Sequence, residues 1–181
     1  MSLIKKIGIG SAQFGFNYSV NQKRKTSLKS QKKIFYLAKK KNISLIDTAI
    51  NYRLSETNIG LSKNNNFKIV SKIPKISKKN INSESIEKIL KSSLSKVKEN
   101  FFYGVLFHDV KFFNTSKGQK IFKYLLEFKK KKLIKKIGAS IYSPSDLKLI
   151  KNKKIDIIQI PSNIIDRRFN HRILSDLKKR G

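Results

Sequence analysis

Short apolar runs alternate with amphipathic segments along the whole chain, and this alternation limits the possible architectures more than any other feature. The runs are KKIGIG (5–10), ISLID (43–47), FKIVSK (67–72), FYGVLFH (102–108), LIKKIGAS (133–140) and KIDIIQI (154–160). Most are apolar or β-branched at both parities, as expected of strands covered on both faces. Between them the spacing turns helical. Over 83–98, Ile86, Ile89, Leu90, Leu94 and Val97 recur at intervals of three and four, behind Ser83 as the expected cap and two early glutamates. Over 117–132, Ile121, Leu125 and Phe128 share a face, and the lysines from Lys129 to Lys132 close the helix in the sense its dipole favours. The stretch SPSDLKLIK predicts a further helix, capped by serine with Pro144 at its first position. Six β-α units follow from this count. Parallel strands joined by helices leave two choices, a doubly wound sheet or a (β/α)8 TIM barrel.

The polar residues at the strand ends favour the barrel. Asp47, Lys72, His108 and Ser140 close the second to fifth runs, and Gln159 falls near the end of the sixth. In a barrel these C-terminal ends meet on one face, where such folds carry their active sites. In an open sheet they would be strung along a crevice. A dinucleotide-binding reading of GIGSAQFG is weak, because Gln13 stands where the third glycine of G-x-G-x-x-G belongs and no helix is expected to follow. No phosphate-cradling P-loop is present either.

The same strand-end residues suggest a chemistry. A tyrosine hydroxyl, with its ordinary pKa near 10, is a poor proton donor or acceptor at neutral pH unless its anion is stabilised. A neighbouring ammonium stabilises it, and a carboxylate keeps that ammonium charged and in place. Asp47, Tyr52 and Lys72 supply these three groups, and His108 adds a donor able to orient a carbonyl or pass a proton. Taken singly, each has a plainer reading: Asp47 as a turn residue, Tyr52 as packing, His108 as an interior histidine and Lys72 as one of many lysines. The chain has only 6 tyrosines and 2 histidines, so Tyr52 and His108 carry most of the inference. The second histidine, His171, is expected in an ordinary helix.

The chain resembles the aldo-keto reductases. IDTAINYRLSETNIG is similar to that family's signature around its Asp and Tyr, including Ser55-Glu56 and Ile59-Gly60. IGIGSAQFGFNYSVNQ is similar to its opening strand and loop, and IGASIYSPSDL and DIIQIPSNIIDRR to its fifth and sixth units. The resemblance covers nearly the whole chain and implies a (β/α)8 barrel that reduces aldehydes or ketones with NADPH. It also implies a catalytic tetrad of Asp47, Tyr52, Lys72 and His108, with Tyr52 as proton donor. By the same resemblance Ser140 and Gln159 would hold the nicotinamide carboxamide.

Three departures accompany it. Arg53 follows Tyr52 where the family usually has glycine, which bears on loop shape and substrate access. Ile141 replaces the asparagine common after the fifth-strand serine. The sequence ends at SDLKKRG, before a seventh strand. Residues 1–181 are therefore expected to form a single, incomplete barrel domain lacking the last two β/α units. With them would go a ring-stacking residue and the loops around the adenosine phosphate, so this chain alone is expected to bind NADPH weakly or not at all and to have negligible reductase activity.

Composition narrows the partners. The chain has 42 basic and 11 acidic residues, a formal charge of +31. Such an excess suggests polyanions, and an inactive basic barrel fragment that binds nucleic acid is the alternative reading. The lysines are scattered, however, and Lys, Asn, Ile and Phe share AT-rich codons, so biased composition is the better account and nucleic acid is not expected as a partner. The absence of cysteine removes disulfides, thiolate metal sites and cysteine nucleophiles, and no metal site is expected. No apolar run approaches the ~20 residues of a membrane span, and the N-terminus lacks a signal-peptide core. A soluble, cytoplasmic protein acting on a small carbonyl compound is the resulting expectation.

Overall fold

The computed structural model describes residues 7–16, 26–63, 67–77, 81–151 and 153–179. Six strands lie in sequence order in one sheet: β1 (Gly8–Gly10), β2 (Leu45–Asp47), β3 (Lys68–Ile73), β4 (Phe102–Phe107), β5 (Ile134–Ser140) and β6 (Ile157–Gln159). Every neighbouring pair is parallel. The expected β-α alternation holds, with α1 (Ala12–Gly15), α2 (Leu28–Lys40), α3 (Ser55–Ser62), α4 (Ser83–Val97), α5 (Val110–Phe113), α6 (Ser116–Lys130) and α7 (His171–Lys179) between and after the strands. Lys5 and Lys6 of the first predicted run fall outside the described residues.

The sheet curls. Flat strands four places apart would be separated by about 19 Å, yet Gln159 on β6 donates from Nε2 to Asp47 Oδ1 on β2 at 3.0 Å. Gly104 on β4 faces the same interior, where an added Cβ would lie 2.8 Å from Ile157 Cδ1. These are six parallel strands of an incomplete (β/α)8 barrel. Among the described residues, β1 and β6 each have a strand partner on one side only.

The core lies between the sheet and its helices. Ile86, Leu90, Leu94 and Val97 of α4 and Ile121, Leu125 and Phe128 of α6 are buried against Phe102, Val105, Phe107 and Ile137 of the strands. Their three- and four-residue spacing puts each set on one helical stripe. The α4 cap is Asn82 rather than Ser83. Asn82 accepts from Ser85 N at 2.9 Å while Ser85 Oγ reaches back, forming a reciprocal box. Lys129 and Lys131 at the end of α6 are paired rather than merely solvated, with Asp156 and Glu87 respectively.

Two local expectations fail. Residues Pro144–Ile150 form a 3-10 helix rather than an α-helix, and Ser143 makes no side-chain cap. Only Ile150 of that segment is buried, with Leu147 and Leu149 partly so, which leaves a short apolar contact to hold a 3.6-residue period. A single helical turn, α1, does follow β1, where none was expected. At four residues it remains far short of a dinucleotide-binding helix. Among the described residues no helix is long and apolar enough to cross a membrane.

Candidate active site

The segment after β2 stays bound to β3, which sets the position of Tyr52. Thr48 N donates to Val70 O at 2.9 Å and Ile50 N to Lys72 O at 3.1 Å. Tyr52 then closes a turn onto Ala49 O at 3.0 Å and accepts from Ser55 N, the first residue of α3, at 2.9 Å. Gly15 packs beneath this turn. A Cβ there would collide with Tyr52 O and lie 2.5 Å from Ser55 N, so the position admits only glycine. Ser55 Oγ donates to Ser11 O at 2.8 Å and lies 2.9 Å from Ser11 Oγ, tying the β1 loop to α3 through buried hydroxyls.

Lys72 is the centre of the site. Its side chain is 3% exposed, and its ammonium donates to Asp47 Oδ1 at 2.7 Å, Asp47 Oδ2 at 2.8 Å and Thr48 O at 2.9 Å. An ammonium has three protons, so this acceptor set can satisfy it without water. Burial pushes the Lys72 pKa down from its ordinary value, and the Asp47 charge opposes that shift. The ammonium lies 5.4 Å from the centroid of the Tyr52 ring.

His108 follows β4, its backbone N–H bonded to Ile73 O at 3.0 Å. Its ring meets that of Tyr52 edge-on, with centroids 5.9 Å apart. Burial lowers its pKa below 6.5 and the Lys72 charge lowers it further, against the opposing pull of Asp47 and Asp109. The imidazole is therefore neutral at neutral pH and carries one N–H to donate. Ser140 Oγ donates to Gln159 Oε1 at 3.2 Å, and Gln159 in turn donates to Asp47. The six residues singled out from the sequence thus come together at the C-terminal ends of β2 to β6.

Sequence reasoning missed several parts of this assembly. The Thr48 carbonyl, third acceptor of Lys72, is a backbone group and leaves no signature. Phe16 packs on Tyr52, with centroids 5.9 Å apart. Arg53 adopts φ +48°, the left-handed conformation that glycine reaches freely, which makes the sequence signal of a non-glycine after Tyr52 a structural one. Glu56, 1% exposed, accepts from Ser71 at 2.8 Å and Ser93 at 2.6 Å, while its Oε2 has no hydrogen-bond partner among the described residues.

The model of the Aldo/keto reductase family matches residues 6–181. The chain belongs to that family. The fold is similar to an aldo-keto reductase of Pseudomonas aeruginosa, at 21% identity and a TM-score of 0.75, covering 95% of this chain and 68% of that one. It is also similar to an enzyme of Klebsiella pneumoniae solved with NADPH (14% identity, TM-score 0.68, 95% and 59% covered). A third, from Brucella melitensis, gives 20% identity and a TM-score of 0.66, with 94% and 63% covered. The chain therefore spans about three fifths to two thirds of the length of these structures. No curated protein gives a significant match.

Proposed function

We propose that this cluster is the reducing site of an NADP(H)-dependent oxidoreductase acting on a small aldehyde or ketone, set in the cytoplasm and built as one incomplete barrel domain. The observation that carries the reading is Lys72, buried and bonded to three acceptors beside the Tyr52 ring, with a neutral His108 edge-on to that ring. Tyr52 donates its hydroxyl proton to the carbonyl oxygen as the alkoxide develops. Lys72 lowers the cost of the resulting phenolate, and Asp47 holds Lys72 charged in an otherwise desolvating position. His108 donates its single N–H toward the carbonyl oxygen and orients it.

The residues also fit the cofactor. Ser140 and Gln159 present a hydroxyl and a primary amide side by side, a donor and acceptor set suited to the carboxamide of NADPH. When bound there, NADPH supplies the hydride. Its presence among the family's solved structures supports the same choice.

The test is Tyr52→Phe, which keeps the ring packing and deletes the proton. In a protein that carries all eight β/α units, turnover of an aldehyde with NADPH should fall by about 1,000-fold or more, while NADPH affinity measured by fluorescence titration stays nearly constant. A Phe variant that remains active would remove Tyr52 as proton donor.

A further inference from the structure

Arg53 adjoins the proton donor in sequence, is exposed, and has no carboxylate partner among the described residues. Its backbone sets it apart. Among the described residues, four non-glycine residues have positive φ: Asn42, Arg53, Lys98 and Lys132. Three of these lie at or just past the C-terminal ends of α2, α4 and α6, where a left-handed residue ends the helix. Arg53 instead precedes α3, so helix termination does not account for it. The turn at Tyr52 dictates the left-handed backbone. Asparagine or glycine would take it with less strain, yet arginine occupies it.

The side chain has a defined place. Its guanidinium carbon lies 5.7 Å from the centroid of the Phe16 ring, and Phe16 packs against Tyr52. Arg53, Phe16, Tyr52 and His108 thus form a continuous row that leads from an exposed residue to the site. The other cationic groups there are already accounted for. Lys72 is paired with Asp47 and His108 is neutral. Asp109, beside His108, is committed as the cap of α5, accepting from Lys111 N at 2.8 Å. The uncompensated charge of the row is the Arg53 guanidinium, whose planar fork suits carboxylate and phosphate oxygens.

We propose that Arg53 makes the site selective for carbonyl compounds that also carry an anionic oxygen group, a carboxylate or a phosphate, at the end remote from the reacting carbon. The proposal rests on the reductase reading for its carbonyl half. The anion is bound by Arg53 at the rim while the carbonyl oxygen reaches Tyr52 and His108.

The test compares matched pairs of aldehydes, 4-oxobutanoate with butanal and glyceraldehyde 3-phosphate with glyceraldehyde. Each is given to the wild type, to Arg53→Gly and to Arg53→Lys. Glycine relieves the left-handed backbone, so the first variant should fold as well as the parent. In the wild type kcat/KM should favour at least one anionic member by roughly 10- to 100-fold. That ratio should collapse toward one in Arg53→Gly and be partly kept in Arg53→Lys. The pair that shows it names the anion. A ratio near one in the wild type, or one unchanged in Arg53→Gly, overturns the proposal and leaves the reductase reading intact. If no aldehyde is reduced, ligand-observed NMR decides the anion half. Binding of 4-oxobutanoate or glyceraldehyde 3-phosphate in preference to its neutral partner, lost in Arg53→Gly, upholds it. Absent or Arg53-independent binding overturns it.

Discussion

The centre of the sheet and its last unit follow the same β-α pattern with unequal results. β3, β4 and β5 run for six or seven residues each and are buried along most of their length. β6 has three residues, all half-buried, and α7 has no buried residue at all. Ile164 and Ile165, in the loop between them, are 85% and 95% exposed. A groove of about 330 Å³, lined by Ile158, Ile160, Leu174 and Leu177 among others, runs between β6 and α7. A β-α unit derives most of its stability from the neighbours that cover it. The central strands are paired on both sides and covered by α4 and α6, whereas β6 is paired on one side. The cluster straddles this divide: Lys72 and His108 belong to the ends of the well-covered strands, Asp47 closes the short β2, and Gln159 reaches in from the thinly covered β6.

The contrast is broken most directly by paired truncations. Phe107→Ala, at a fully buried position among Phe112 and Phe113, should cost about 3–5 kcal/mol. Leu174→Ala on α7 should cost under about 1 kcal/mol. Urea denaturation of the two variants measures both, and equal costs would mean that the last unit is as integral as the centre.

A smaller effect is expected at Lys72. Lys72→Met removes the ammonium and leaves Asp47 facing a desolvated pocket without its counter-charge. Because the Asp47 side chain keeps 29% exposure, the loss should be about 2 kcal/mol rather than the full penalty of a deeply buried pair. Adding Asp47→Asn should recover part of it. A double variant no more stable than Lys72→Met would show that the pair is not coupled as its geometry indicates.

The smallest effect concerns Glu56. Burial raises its carboxyl above 4.5, against hydrogen bonds from Ser93 and Ser71 and the charge of Lys96. The native state then holds this proton more tightly than the unfolded chain does. The stability it contributes is complete below pH 4.5 and is lost as pH rises through the raised native value. Glu56→Gln should accordingly be more stable than the wild type at neutral pH, by on the order of 1 kcal/mol, with the difference shrinking toward pH 4.5. Thermal melts of both proteins at the two pH values check the sign. A variant less stable at neutral pH would mean that the ionised carboxylate is favoured by its two serine donors.

Much of the site was legible in the chain itself, for reasons that differ by residue. Asp47, Tyr52, Lys72, His108, Ser140 and Gln159 were readable because each follows or ends an apolar run, and strand ends in a barrel share one face whatever the loops do. The α4 cap was misplaced by one residue because Asn82, Ser83 and Ser85 are all competent caps, and only the backbone of the preceding loop selects among them. The segment from Pro144 carries a proper start signal, but its helix type depended on how much apolar surface the neighbours offered.

The order of strands and helices is written in the sequence because hydrophobic period and turn chemistry act over a few residues. The four residues proposed for proton transfer can be picked out there as well. Tertiary structure alone decided that Gln159 would bond Asp47 across 112 positions, that Glu56 would be buried with one oxygen unpaired, and that Arg53 would turn left-handed over Phe16. Each of these depends on how far the sheet curls and on which backbone groups the turn after β2 must satisfy. Such distances are set by the packing of all six strands together, and no local stretch of chain contains them.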